Sequence, residues 1–130
     1  MPTLPTNKRR KYIPEKEPKK AGSNQSFYNS TRWRKNSVAY RKQHPLCEAC
    51  KEGRNETQPC DVTDHIVAIE QGGARFNPIN WMAMCHKCHN SKRGMESHHG
   101  ILVEWEFDFN NEKVPIDRHQ IIRVICQNLK

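Results

Sequence analysis

The sequence predicts a small α+β fold. Its core is a strand–loop–strand–helix unit stapled by a four-cysteine zinc site, with a basic helix before it and a strand–helix extension after it. Three observations predict this. Cys47-x2-Cys50 and Cys85-x2-Cys88 are paired knuckles, and two such turns put four thiolates on one tetrahedral ion. The 34 residues between the knuckles hold two short apolar runs around a glycine-rich loop. Core material is thin, 35% hydrophobic against 28% charged in 130 residues, and small lean domains often depend on a metal or disulfide staple.

Charge divides the chain. Residues 1–42 hold 12 Lys/Arg against two acids, Glu15 and Glu17, whereas residues 43–130 hold 10 basic and 12 acidic residues. A basic first third fits a polyanionic partner, nucleic acid first, and equally a solvated tail. Residues 1–25 are rich in Pro, Lys and small polar residues and are expected to form a disordered basic arm. No 18-residue apolar run and no secretory h-region is present. The expectation is therefore a cytoplasmic protein with metal-bound rather than disulfide-bonded cysteines.

Residues 27–45 read as the basic helix. Asn29 or Ser30 can cap it and Pro45 limits it, while Trp33 and Tyr40, seven apart, share a face. Arg32, Arg34, Lys35, Arg41 and Lys42 decorate the rest and are candidate nucleic-acid contacts.

The core follows. "DVTDHIVAI" (61–69) is rich in β-branched residues and reads as a strand. "EQGGARFNP" (70–78) must be a loop. "NWMAM" (80–84) is a second short strand, and "CHKCHNSKRGME" (85–96) suits a short helix loosened at Gly94. A compact zinc ribbon leaves roughly 15–20 residues between knuckles, so the wider gap here must enclose the strand–loop–strand unit. Cys60 and Cys126 lack a C-x2-C partner and are taken as free thiols with packing roles. Cys60 lies within the gap and is the cysteine best placed to upset the four-cysteine assignment, whose alternative is a set of redox or merely buried thiols.

In the extension, "VEWEFDF" (103–109) alternates apolar and acidic residues, predicting a strand with Val103, Trp105, Phe107 and Phe109 inward. Asn110 and Asn111 turn the chain. "IDRHQIIRVICQNL" (116–129) reads as an amphipathic helix with Asp117 as N-cap, Gln120 three positions on, and Ile121, Ile122, Ile125 and Leu129 buried. His98 and His99 are expected in a loop and His86 exposed.

Assigning Cys85 and Cys88 to one ion leaves His89 facing elsewhere, because adjacent helical residues point about 100° apart. Its best partner is Asp64-His65. An aspartate and a histidine offer one oxygen and one nitrogen to an open divalent site, and His65 beside it could take a proton from water. Alone, Asp-His is a weak signal and reads better as a capping acid and a surface histidine. The flanking knuckles favour two sites back to back on one short helix.

"TDHIVAIEQGG", then "NPINWMAMCHKCHNSK", resembles the HNH, or ββα-metal, endonuclease motif, and "FYNSTRWRKNSVAYRKQHPLCEAC" is similar to the lead-in of small free-standing HNH nucleases, many encoded by phages. The resemblance covers about residues 27–95. It implies a two-stranded antiparallel hairpin plus helix. It also implies His65 as general base, Asn80 orienting the segment that bears His65, and His89 with Asp64 as ligands of a catalytic Mg²⁺ or other divalent ion such as Mn²⁺. Lys92, with Arg93, is expected on phosphate, and Cys47, Cys50, Cys85 and Cys88 on structural zinc.

These roles together describe phosphodiester hydrolysis, with double-stranded DNA as the expected partner. A homodimer and a phage packaging machinery are further expected partners, in a bacterial or phage-infected cell. A non-catalytic zinc-stapled DNA-binding module and an RNA-cleaving or RNA-binding variant stand as the alternatives. The domain division expected is 1–25 arm, 26–96 nuclease domain, and 97–130 extension packed on the core.

Overall fold

The computed structural model describes residues 19–128. In chain order it contains α1 (Lys19–Tyr28), α2 (Thr31–Gln43), α3 (Glu48–Arg54), β1 (Val62–His65), β2 (Trp81–Met84), α4 (His86–His99), β3 (Trp105–Phe107), β4 (Lys113–Pro115) and α5 (His119–Asn128). Short 3₁₀ turns at Ile69–Gln71 and Pro78–Asn80 shape the loop between β1 and β2. No helix among the described residues is long and apolar enough to cross a membrane.

The basic helix begins at Thr31, capped by Ser30, whose Oγ accepts from the Trp33 N–H at 3.2 Å. Phe27 therefore belongs to a separate helix, α1, which takes in residues 19–25 of the segment expected to be an arm; residues 1–18 lie outside the described residues. Trp33 and Tyr40 are buried on one face of α2, as their spacing requires.

β1 pairs antiparallel with β2, Asp64 opposite Met82 and His65 opposite Trp81. β1 is shorter than the run 61–69, because after His65 the chain turns inward to serve as a hydrogen-bonding frame. All four β2 residues are buried, since helices cover both faces of so small a hairpin. α4 runs through Gly94 to His99, so His98 and His99 form its last turn rather than a loop. Gly94 is exposed, and a Cβ there would meet nothing within 4 Å.

α5 is integral to the core. Ile121, Ile122, Ile125 and Cys126 join Met82, Met84 and the four knuckle cysteines in one cluster. Gly53 of α3 allows this approach, because a Cβ there would lie 2.2 Å from the Cys126 Sγ. Leu129 lies outside the described residues. β3 and β4 form a second antiparallel pair. Val103 is buried and Trp105 half-buried, but Phe107 is 56% and Phe109 93% exposed, against the inward placement expected. The pair has only two strands, and no second layer among the described residues covers the face that carries Phe107 and Phe109.

Candidate active site

The two knuckles converge. The Sγ atoms of Cys47, Cys50, Cys85 and Cys88 all lie within 4.8 Å of one another, with Cys50 Sγ 3.8 Å from Cys85 Sγ and 3.7 Å from Cys88 Sγ. A tetrahedral ion with metal–sulfur bonds of about 2.3 Å has sulfur–sulfur edges of about 3.8 Å, so the donor set fits such an ion. Arg54 supplies compensating charge, its Nη2 lying 3.0 Å from the Cys50 Sγ. The Asp61 carboxylate accepts the His86 N–H at 2.9 Å and fixes the start of α4, leaving the His86 side chain exposed. Cys60 and Cys126 stand outside the cluster.

The loop between β1 and β2 is locked by Asn80, which is fully buried. Its Oδ1 accepts the Val67 N–H at 2.8 Å, and its Nδ2 donates to the carbonyls of Val67 at 3.0 Å and Ala74 at 2.9 Å. Asn80 thus touches only backbone. It positions the loop that follows His65. Gly73 completes the lock, because a Cβ there would sit 1.8 Å from the Val67 oxygen. The extension braces the same loop, the Ala74 N–H donating to Lys113 O at 2.9 Å and the Lys113 N–H to Gly72 O at 3.0 Å.

What the lock presents is the carbonyl of Arg75. His65 Nε2 lies 3.1 Å from it, as does the indole Nε1 of Trp81. A carbonyl only accepts, so Nε2 carries the ring proton and Nδ1 a lone pair. Nδ1 is buried and has no partner among the described residues. Trp33 stacks on the ring with centroids 4.6 Å apart, and Phe27 and Tyr28 meet it edge-on. Burial pushes the His65 pKa below its ordinary value, which outweighs the bond to the Arg75 carbonyl and keeps the imidazole neutral near pH 7.

Beside His65, Asp64 projects from β1 toward α4. Its Oδ1 lies 3.4 Å from His89 Nε2 and its Oδ2 lies 2.8 Å from Lys92 Nζ. Burial disfavours the carboxylate, but Lys92 and His89 hold the pKa down to about 2. His89 directly follows Cys88, which is fully buried, while His89 keeps one side toward the cleft. One oxygen and one nitrogen therefore face each other at an open site, a donor set that fits a hard or borderline divalent ion.

Lys92 is not on the surface. It is fully buried, its ammonium held by Asp64, by Glu96 Oε2 at 2.6 Å and by the His65 carbonyl at 2.9 Å. The expected phosphate contact is thereby corrected: three oxygens already satisfy this cation. Burial opposes its charge, yet the two carboxylates hold its pKa above the ordinary lysine range. Glu96 was not singled out in the sequence. Its four-residue spacing from Lys92 was the available signal.

Asp64, His65, His89 and Glu96 line a cleft of about 560 Å³, together with Tyr28, Trp33, Glu70, Arg41 and Arg93. Of the basic candidates, Arg41 and Arg93 line it; Arg32, Arg34, Lys35 and Lys42 are exposed elsewhere on α2. The Arg32 guanidinium stacks over Phe76 at 3.7 Å.

An antiparallel hairpin crossed by a helix, with His65 on the first strand and His89 on the helix, is a ββα arrangement. Residues 47–94 match the family model described as HNH endonuclease. A crystal structure of the HNH endonuclease of deep-sea thermophilic bacteriophage GVE2, with manganese ion, shares the fold. Its TM-score is 0.53 and its identity 24%, over 62% of this chain and 88% of that one. No curated protein matches.

Proposed function

We propose that this chain hydrolyses phosphodiester bonds in double-stranded DNA, with His65 as general base and a divalent ion held by Asp64 and His89. The supporting observation is the orphaned Nδ1 of His65. A buried acceptor without a partner is costly. Its natural partner is a water molecule, and a water at a lone pair on a neutral imidazole is a nucleophile about to lose its proton.

In this reading the proton passes from water to Nδ1. The Arg75 carbonyl keeps the other nitrogen protonated, so the ring cannot present the wrong tautomer. The charge of the Asp64 carboxylate, one residue earlier in the chain, favours the resulting imidazolium. When bound, an ion such as Mg²⁺ or Mn²⁺ would supply Lewis acidity at the scissile phosphate and its leaving oxygen. Arg41 and Arg93 take flanking phosphates, and the rest of α2 adds sequence-independent affinity. The four thiolates hold structural zinc, which fixes α4 against α3.

The test is incubation of supercoiled plasmid and of RNA with the protein and Mg²⁺, repeated with EDTA. Cleavage of DNA that EDTA abolishes is the expected result. Cleavage of RNA alone assigns the RNA-cleaving variant, and binding without cleavage the non-catalytic zinc module.

A further inference from the structure

We propose that Lys92 is a positioning residue for the metal-binding carboxylate: its buried ammonium takes one oxygen of Asp64 and leaves the other to the ion. The inference rests on the reading of Asp64 and His89 as the divalent site.

An ammonium has three protons, and three oxygens surround Lys92 Nζ: it donates to Glu96 Oε2 at 2.6 Å and to the His65 carbonyl at 2.9 Å, and it forms an ion pair with Asp64 Oδ2 at 2.8 Å. Nothing is left over for solvent or phosphate, and the side chain is fully buried. Burying a cation is expensive unless each proton is placed, so the arrangement is specified by the fold. His89, Lys92 and Glu96 recur at i, i+3 and i+7 along α4, which puts all three on one face.

Two consequences follow for the ion. A free carboxylate binds a divalent ion through one oxygen or both. With Oδ2 held by Lys92, Asp64 offers Oδ1 alone, the oxygen that faces His89 Nε2 at 3.4 Å. One more position then stays open for water or phosphate. The ammonium also repels a cation, so the site binds its ion less tightly than the same ligands would without the lysine, and the ion remains exchangeable. The bond to the His65 carbonyl ties this clamp to the backbone of the proposed base, so ligand and base share one anchor.

The experiment uses the full chain with its zinc in place. Mn²⁺ is titrated by calorimetry and by the loss of its free-ion electron paramagnetic resonance signal. Plasmid cleavage is measured at saturating Mn²⁺, for wild type, Asp64→Ala, Lys92→Met and the double variant Lys92→Met with Glu96→Gln. The double variant removes both charges together, so no buried ion is left half-paired. Lys92→Met should bind Mn²⁺ at least about tenfold more tightly, because a nearby positive charge is gone. Its kcat should fall by at least about tenfold with KM for DNA unchanged, and the double variant should move the same way. A lysine that serves only the fold would lose metal affinity and activity together. Should Lys92→Met not fold, the double variant decides. A folded variant with unchanged or weaker Mn²⁺ affinity overturns the proposal, as does a double variant that cannot fold. Failure of the underlying reading looks different: wild type would bind no Mn²⁺ beyond what Asp64→Ala binds, and the proposal would fall with it.

Discussion

Arg118 Nη2 lies 2.7 Å from Oε1 of Glu48, joining the chain just before α5 to α3, the helix that carries Cys50. The other oxygen of Glu48 accepts the Tyr40 hydroxyl at 2.7 Å and the Ala83 N–H at 2.8 Å. One buried carboxylate thus gathers α2, α3, β2 and the extension. Arg118→Met should destabilise the protein by about 1–3 kcal/mol, the upper part of the buried-pair range being discounted for a guanidinium that is 30% exposed. Thermal or urea unfolding with zinc retained checks this, and an unchanged midpoint would show the pair to be superficial.

Metal content gives a second prediction. Elemental analysis after mild EDTA should find about one zinc per chain, because four mutually close thiolates outlast a weak chelator. Cys47→Ser should lose that zinc and the cooperative unfolding transition. A Cys47→Ser protein with full zinc and normal folding would falsify the four-cysteine assignment.

His65→Ala should lower cleavage by about 10²–10⁴-fold while zinc content, fold and DNA affinity persist. Excess Mn²⁺ should not restore it, since neither proposed ligand is removed. Asp64→Ala and His89→Ala should also stop cleavage, but with partial recovery at high Mn²⁺. Rates across a metal titration separate the two classes, and near-normal cutting by His65→Ala would sink the mechanism.

Asn80→Ala should cost about 2–4 kcal/mol, because it strands the Val67 N–H and two carbonyls inside the fold. Cleavage should fall with the lost placement of the Arg75 carbonyl even below the melting temperature. Activity measured well inside the folded range is the discriminating readout; a stable, fully active Asn80→Ala protein would refute the positioning role.

Arg93→Ala should weaken DNA binding and reduce the slope of log affinity against log salt by about one. The same change at Lys35, which is exposed on α2 away from the cleft, should leave kcat unchanged. Fluorescence anisotropy over a salt series measures both slopes. Equal slopes for Arg93→Ala and wild type would remove Arg93 from the interface.

The knuckles, the hairpin and the pairing of Asp64 with His89 were legible because each depends on local spacing: two residues between cysteines, alternating β-branched residues, a 100° step along a helix. What was illegible depends on depth. Lys92 carries the same letter whether it reaches for phosphate or lies buried under Asp64, and only the fold shows three oxygens around it. Phe107 and Phe109 follow the alternation that marks a buried face, but no second layer covers that part of the ribbon. Glu48 and Arg118 are 70 residues apart, too far for any periodicity to join them. α1 was missed because "KKAGSNQSFY" has weak helical patterning, and the stack of its Phe27 on Trp33 is tertiary.

Cys88 and His89 are neighbours on α4, one bound into the thiolate cluster and the other facing Asp64. The cluster therefore acts as a torsional stop. A helix free to roll about its axis by about 20° would sweep a side-chain tip through about 2 Å, given a radius with side chains of about 5–6 Å. That sweep exceeds the tolerance of a metal–ligand bond. In a chain with so few large apolar residues, packing alone resists rolling weakly. An ion held by the four cysteines would fix the rotational phase of α4 through Cys88, and the next residue would inherit it.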